Sequence, residues 1–110
     1  MGTTTKTPER TSTVVADDGT RLYVHSRDGA FAAERPRAVF CDGILCDGFI
    51  WKYLWNEIAG VCDVAHWHYR GHGRSQAPVD KTRIDIGAHA TDLKTVRDDL
   101  GDRPCVIIGH

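Results

Sequence analysis

The stretch RPCVIIGH, residues 103–110, decides how the rest of the chain reads. Cys105, Val106, Ile107 and Ile108 form an apolar run that is too short for a helix and has no polar face. A proline stands before it and a glycine after it. A strand buried on both faces of a parallel sheet has this form, because neither face needs polar residues. Parallel neighbours require crossover connections, so helices are expected between the strands that precede it.

Those helices can be read upstream. TSTVVADDGTRLYVHSRD, 11–28, consists of two alternating runs around Asp18-Gly19, a hairpin signal in which both central residues tolerate positive φ. Residues 27–36 read as a polar loop and RAVFCDG, 37–43, as a short buried strand. FIWKYLWNEIAG, 49–60, carries Trp51, Leu54, Trp55 and Ile58 at helical spacing, with Gly60 as a stop. VCDVAHWHY, 61–69, reads as a strand that enters the glycine- and arginine-rich loop RGHGRSQAP, 70–78. A second helix is predicted from about Thr82, with Asp85 as a capping-box-like partner. Its apolar line is Ile86, Ala90, Leu93, Val96 and Leu100, and Gly101 ends it.

The order β-hairpin, β, α, β, α, β predicts an α/β protein with a mostly parallel sheet and right-handed crossovers. Residues 1–11 are expected to be a flexible N-terminus and 12–110 a single unit. The Trp51/Trp55 stripe reads as core.

Composition narrows the partners. The 110 residues are 41% hydrophobic and 26% charged, with a net charge of −1. Nucleic acid and anionic membranes both call for clustered basic surface, so neither is an expected partner. No apolar stretch reaches the ~20 residues of a membrane span. MGTTTKTPERTST lacks the apolar core of a secretory signal, and Lys6 stands where a myristoylation pattern wants Ser or Thr. A soluble, cytoplasmic protein is expected, with Cys41, Cys46, Cys62 and Cys105 as structural thiols in a reducing compartment.

His66, His68 and His72 invite a metal reading, since residues 66 and 68 of a strand share a face. The metallo-hydrolase pattern H-x-H-x-D-H, however, would need Asp at 70 and His at 71, where this chain has Arg70 and Gly71. Cys41 and Cys46, without a second pair, are a poor zinc signal. The glycines match neither a dinucleotide nor a phosphate-binding fingerprint. Neither a metal nor a cofactor is expected.

Three segments together resemble the α/β-hydrolase fold. VFCDGILCDGFIWKYL resembles its third strand, oxyanion loop and first helix. HWHYRGHGRSQAP is similar to its Asp-x-Arg-Gly-x-Gly-x-Ser loop, and VIIGH to the lead-in of its nucleophile elbow, Gly-x-Ser-x-Gly. The resemblance covers about residues 12–110, the N-terminal part of that fold, and places Gly109 and His110 at the first two elbow positions. It implies that the nucleophile, the acid and the histidine of a triad all come later in the chain, so no residue present is assigned as catalytic. It also implies that Asp42-Gly43-Ile44 is the oxyanion loop, with the Ile44 amide as one donor.

Two positions depart from the family pattern. Asp42 stands where His is common and His68 where Asp is common, which suggests an acid–imidazole pair with its members exchanged. Arg70, Gly71 and Gly73 are expected to be scaffolding, with Arg70 forking to a carboxylate or carbonyl.

The implied function is hydrolysis of an ester or related small-molecule substrate by nucleophilic attack, with this chain inactive alone. A split enzyme completed by a second polypeptide is an alternative, and so is a truncated, non-catalytic interaction module. On this topology Val106, Ile107 and Ile108 form an open apolar edge. Each uncovered aliphatic forfeits roughly 1.5–3 kcal/mol of a domain's ~5–15, so the isolated chain is expected to aggregate.

Overall fold

Every residue of the strand Arg37–Cys41 is buried. Strand side chains alternate between faces, so this strand must be covered on both sides, and the fold is arranged around it. The computed structural model describes residues 9–27, 35–41, 51, 53–101 and 104–109.

In chain order the elements are β1 (Glu9–Val15), β2 (Arg21–Arg27), β3 (Arg37–Cys41), α1 (Trp55–Ala59), β4 (Asp63–Trp67), a 3₁₀ turn (Lys81–Arg83), α2 (Ile86–Asp99) and β5 (Cys105–Gly109). They form one five-stranded sheet in the order β1-β2-β4-β3-β5. β1/β2 and β2/β4 are antiparallel, while β3 lies parallel to both β4 and β5. The mixed α/β architecture is the one expected.

Two apolar clusters lie on opposite faces of the sheet. Val39, Cys41, Ala65 and Trp67 pack with Leu22, Val24 and Val96 of α2. Ala38, Phe40 and Val64 pack with Trp51 and Trp55. Helices thus cover both faces, as the Trp51/Trp55 stripe required.

Several boundaries differ from the sequence reading. β1 begins at Glu9, inside the stretch 1–11 expected to be flexible, because its ladder with β2 extends to Glu9↔Arg27. In the hairpin turn, Gly19 N–H donates to Ala16 O and Ala16 N–H to Thr20 O, with Gly19 at φ 87°. This is a three-residue loop with a glycine bulge instead of a two-residue turn centred on Asp18-Gly19.

α1 spans five residues instead of the twelve expected; Trp55 is buried, and Leu54 is 45% exposed. α2 starts at Ile86, because Asp85 is itself the N-cap: its carboxylate accepts Ala88 N–H at 2.7 Å. Thr82 lies in the 3₁₀ turn, whose own cap is Asp80. The buried face of α2 is Ala88, His89, Asp92 and Val96, with Ile86 exposed, so the expected apolar line is rotated. A buried ion pair at Asp92 is the reason.

β5 pairs with β3 among the described residues, and Val106 and Ile107 remain 52% and 45% exposed. They point to opposite faces, so apolar surface is open on both sides of this strand.

Candidate functional site

The parallel strands deliver their C-terminal ends to one side of the sheet, which is where α/β sheets carry ligands. The registers Cys41↔Trp67 and Cys41↔Gly109 set the ends of β4, β3 and β5 side by side. Asp42, Gly43, Ile44 and His110 follow these ends and lie outside the described residues, as does Cys46. The suggested Asp42–His68 pair therefore has one described member.

The loop after β4 is built on Arg70, whose side chain is fully buried. Its Nε and Nη2 donate to the two oxygens of buried Asp92 at 2.7 and 2.8 Å. Nη1 donates to Asp18 at 2.8 Å and to the Arg83 carbonyl at 3.2 Å. One guanidinium thereby ties the hairpin turn, the 3₁₀ turn and α2 to the end of β4, using the planar fork that Arg alone offers. Bonds from Thr20 and then from Arg70 lower the Asp18 carboxyl to about 2. Two carboxylates hold the Arg70 charge in place and raise its pKa.

The two loop glycines have separate reasons. Gly71 has φ 73°, and a Cβ there would stand 2.8 Å from Ile84 Cδ1. Gly73 has φ 51°, and its Cβ would clash with the His68 ring at Nδ1. Only glycine combines that backbone with that approach. His68 itself is 2% exposed, and its Nδ1 accepts Arg74 N–H at 2.8 Å. Ser75 Oγ donates to His68 O at 2.6 Å and accepts Tyr23 N–H at 2.8 Å, closing the loop onto β2.

On the α1 face, His25 and His66 are cross-strand partners with Nδ1 and Nε2 3.0 Å apart. His25 stacks on Trp55, and Tyr23 lies 4.7 Å from His68, ring centre to ring centre. Burial, and then the neighbouring His66, lower the pKa of His25. A cavity of about 520 Å³ opens here, lined by Thr11, Tyr23, His25, His66, His68, Gly73 and Arg74. No group of three or more His, Cys, Asp or Glu side chains is placed to hold a metal ion among the described residues.

Over 100 residues the chain is 30% identical to human epoxide hydrolase 4, an alignment covering 84% of this chain and 28% of that protein. Among solved structures, the thioesterase domain from the curacin biosynthetic pathway superposes with TM-score 0.80 at 22% identity, covering 94% of this chain and 35% of that one. Epoxide hydrolase A from Mycobacterium thermoresistibile gives TM-score 0.78 at 24% identity, covering 94% and 31%. The chain has the α/β-hydrolase fold. No family model matches it. It spans about three-tenths of the length of the curated relative it matches and corresponds to the N-terminal part of the fold.

Within the α/β-hydrolase frame, Gly109 closes β5 at one edge of the described sheet, and the Arg70–Ser75 loop follows β4 on the other side of β3. Sequence reasoning missed Asp18, Asp92 and Ser75, which hold that loop. The available signal for Asp92 was a carboxylate between Ala88 and Val96, on what is the inner face of an amphipathic helix. The His25–His66 contact was also missed, since pairing two strands 41 residues apart requires the register. No helix among the described residues is long and apolar enough to cross a membrane.

Proposed function

We propose that this chain is the N-terminal part of a hydrolase acting by nucleophilic attack, with an epoxide as its substrate. The observation that carries the proposal is the Cys41↔Gly109 register. Neighbouring strands lie about 4.8 Å apart, so chain leaving β3 and chain leaving β5 start from adjacent points. The first runs into Asp42-Gly43-Ile44 and the second into Gly109-His110 and the position a nucleophile would take. An amide from one and an attacking side chain from the other then converge on one reacting group.

In this proposal the Ile44 N–H is one oxyanion donor, and the amide after the nucleophile is the other. A carboxylate attacking an epoxide carbon breaks a ring C–O bond, forming an enzyme ester and an alkoxide that takes up a proton. Hydrolysis of that ester passes through a tetrahedral oxyanion, as hydrolysis of an ester substrate does. Each donor to such an oxyanion contributes roughly 2.7–4 kcal/mol to the transition state. The similarity to epoxide hydrolase 4 favours an epoxide over the ester expected from the fold alone.

The test compares the protein from the complete reading frame with the 110-residue chain, using styrene oxide and p-nitrophenyl acetate. The expected result is epoxide consumption by the complete protein and none by the shorter chain. Full turnover by the 110-residue chain, or no turnover of either substrate by the complete protein, would overturn the proposal. Activity that appears only when a separate second polypeptide is mixed in would instead establish a split enzyme.

A further inference from the structure

Residues 79–89 connect the loop after β4 to α2, and much of their bonding is internal. Asp80 accepts Thr82 N–H and Asp85 accepts Ala88 N–H, so both caps act within the segment. Val79 and Ile86 are exposed. Arg70 Nη1 reaches in to the Arg83 carbonyl at 3.2 Å, and Ile84 lies against Gly71. A further contact is made by His89, on the first turn of α2 and 9% exposed. Its ring stacks on Tyr69 with centres 4.6 Å apart and meets His72 edge-on at 6.0 Å. Its Nδ1 is buried with no hydrogen-bond partner among the described residues.

That nitrogen decides what the ring can do in place. A neutral imidazole carries one proton, and with the proton on Nε2 the buried Nδ1 is an unused acceptor. Adding a second proton turns Nδ1 into a buried donor with nothing to receive it, on a ring that has also become a buried cation. The packed state therefore resists protonation, and a ring turned out into water does not.

The groups around His89 do not offset an added charge. On its own helix, Asp92 gives both oxygens to Arg70, and Asp85 is engaged as the N-cap. In the loop after β4, Arg70 carries a fixed positive charge, Tyr69 presents its ring, and His72 Nδ1 is bonded to the Arg70 carbonyl. Asp18 of the hairpin turn is bonded to Arg70 and Thr20. Lys81 and Arg83 of the 3₁₀ turn are exposed cations. The first turn of a helix is itself a site of partial positive charge. Burial, and then His72, lower the pKa of His89.

We propose that His89 is an acid-sensitive latch: protonation drives its ring off Tyr69, and residues 79–89 swing away from the loop after β4 while the Arg70–Asp92 pair holds the rest of α2. Local opening of this kind is drawn from the weakly tied parts of a fold. α2 leaves the end of β4 and crosses back to the start of β5, so the segment borders the C-terminal ends of the parallel strands. That is the side on which α/β sheets carry ligands. The latch rests on this packing and is independent of the hydrolase reading.

Amide hydrogen exchange read by mass spectrometry tests it in the protein from the complete reading frame, at about pH 7.5 and 5.5, with intrinsic rates divided out. An opened His89 takes up its proton near 6.5, so at the lower pH opening is favoured by at most about tenfold. The expected result is a loss of protection of about fivefold across residues 83–91, exceeding any loss across 93–99. A general loss of stability in acid would lower both halves of α2 together. His89→Phe keeps a ring on Tyr69 and cannot titrate, so it should remove the excess loss and leave the segment protected at both pH values. His89→Gln lacks the stack as well and should leave the segment weakly protected at both. His72→Gln should retain the response. Equal losses in the two halves of α2, an excess that persists in His89→Phe, or one that vanishes in His72→Gln would each overturn the proposal.

Discussion

Arg70 and Asp92 meet through two parallel hydrogen bonds at 2.7 and 2.8 Å, with both side chains fully removed from solvent. The pair fixes the loop after β4 against α2. Removing Arg70 leaves Asp92 as an uncompensated buried charge, which costs about 3–5 kcal/mol. Arg70→Ala should lower the urea midpoint by that equivalent, and Asp92→Ala by less, because Asp18 still pairs with Arg70. The double variant Arg70→Met/Asp92→Leu should lose less than Arg70→Ala, because no buried charge is left unpaired. Equilibrium unfolding measures all three.

Gly19, Gly71 and Gly73 all have positive φ, yet alanine should not be equally costly at each. At Gly19 nothing lies within 4 Å of a Cβ, so the cost is the backbone term alone, about 1 kcal/mol. At Gly71 the Cβ meets the tip of Ile84, which can shift. At Gly73 it meets the buried His68 ring, which is held by the Arg74 amide. The expected order of destabilisation is Gly19→Ala, then Gly71→Ala, then Gly73→Ala, read from melting temperatures.

Two pH windows are expected in the stability of the protein. Asp18 is lowered to about 2 from 3.8, so its contribution is complete above 3.8 and is lost as pH falls toward 2. Asp18→Asn should flatten that acid limb. His25 is also lowered, but from 6.5, so the unfolded chain takes up its proton first. Stability is then greatest above 6.5 and declines as pH falls below it, and His25→Gln should remove that decline. Unfolding midpoints from pH 8 to pH 2 test both.

Val106 and Ile107 leave β5 apolar on both faces. The 110-residue chain produced alone should bind ANS and aggregate, as open strand edges do. Ile107→Lys should raise its soluble yield by placing a charge on the edge. A monodisperse, cooperatively melting wild-type monomer would contradict this.

Ser75 joins β2 to the loop through one accepted and one donated bond. Ser75→Ala orphans the Tyr23 N–H and should cost about 1–3 kcal/mol. Ser75→Thr should restore most of it, which a urea titration of both variants would show.

The local features of this fold were legible because they are local. The apolar run 105–108, the Asp18-Gly19 turn and the Gly-rich loop each state their backbone preference within a few residues, and strand-helix alternation makes a parallel sheet the economical topology. Element ends are less legible: in sequence Asp85 resembles the partner of a cap, and in the fold it is the cap itself. Only tertiary structure decided that α2 turns His89 and Asp92 inward, because the buried guanidinium of Arg70 outweighs the apolar stripe. It also decided that His25 meets His66, since a strand pairing 41 residues apart is a property of register, which no local preference encodes.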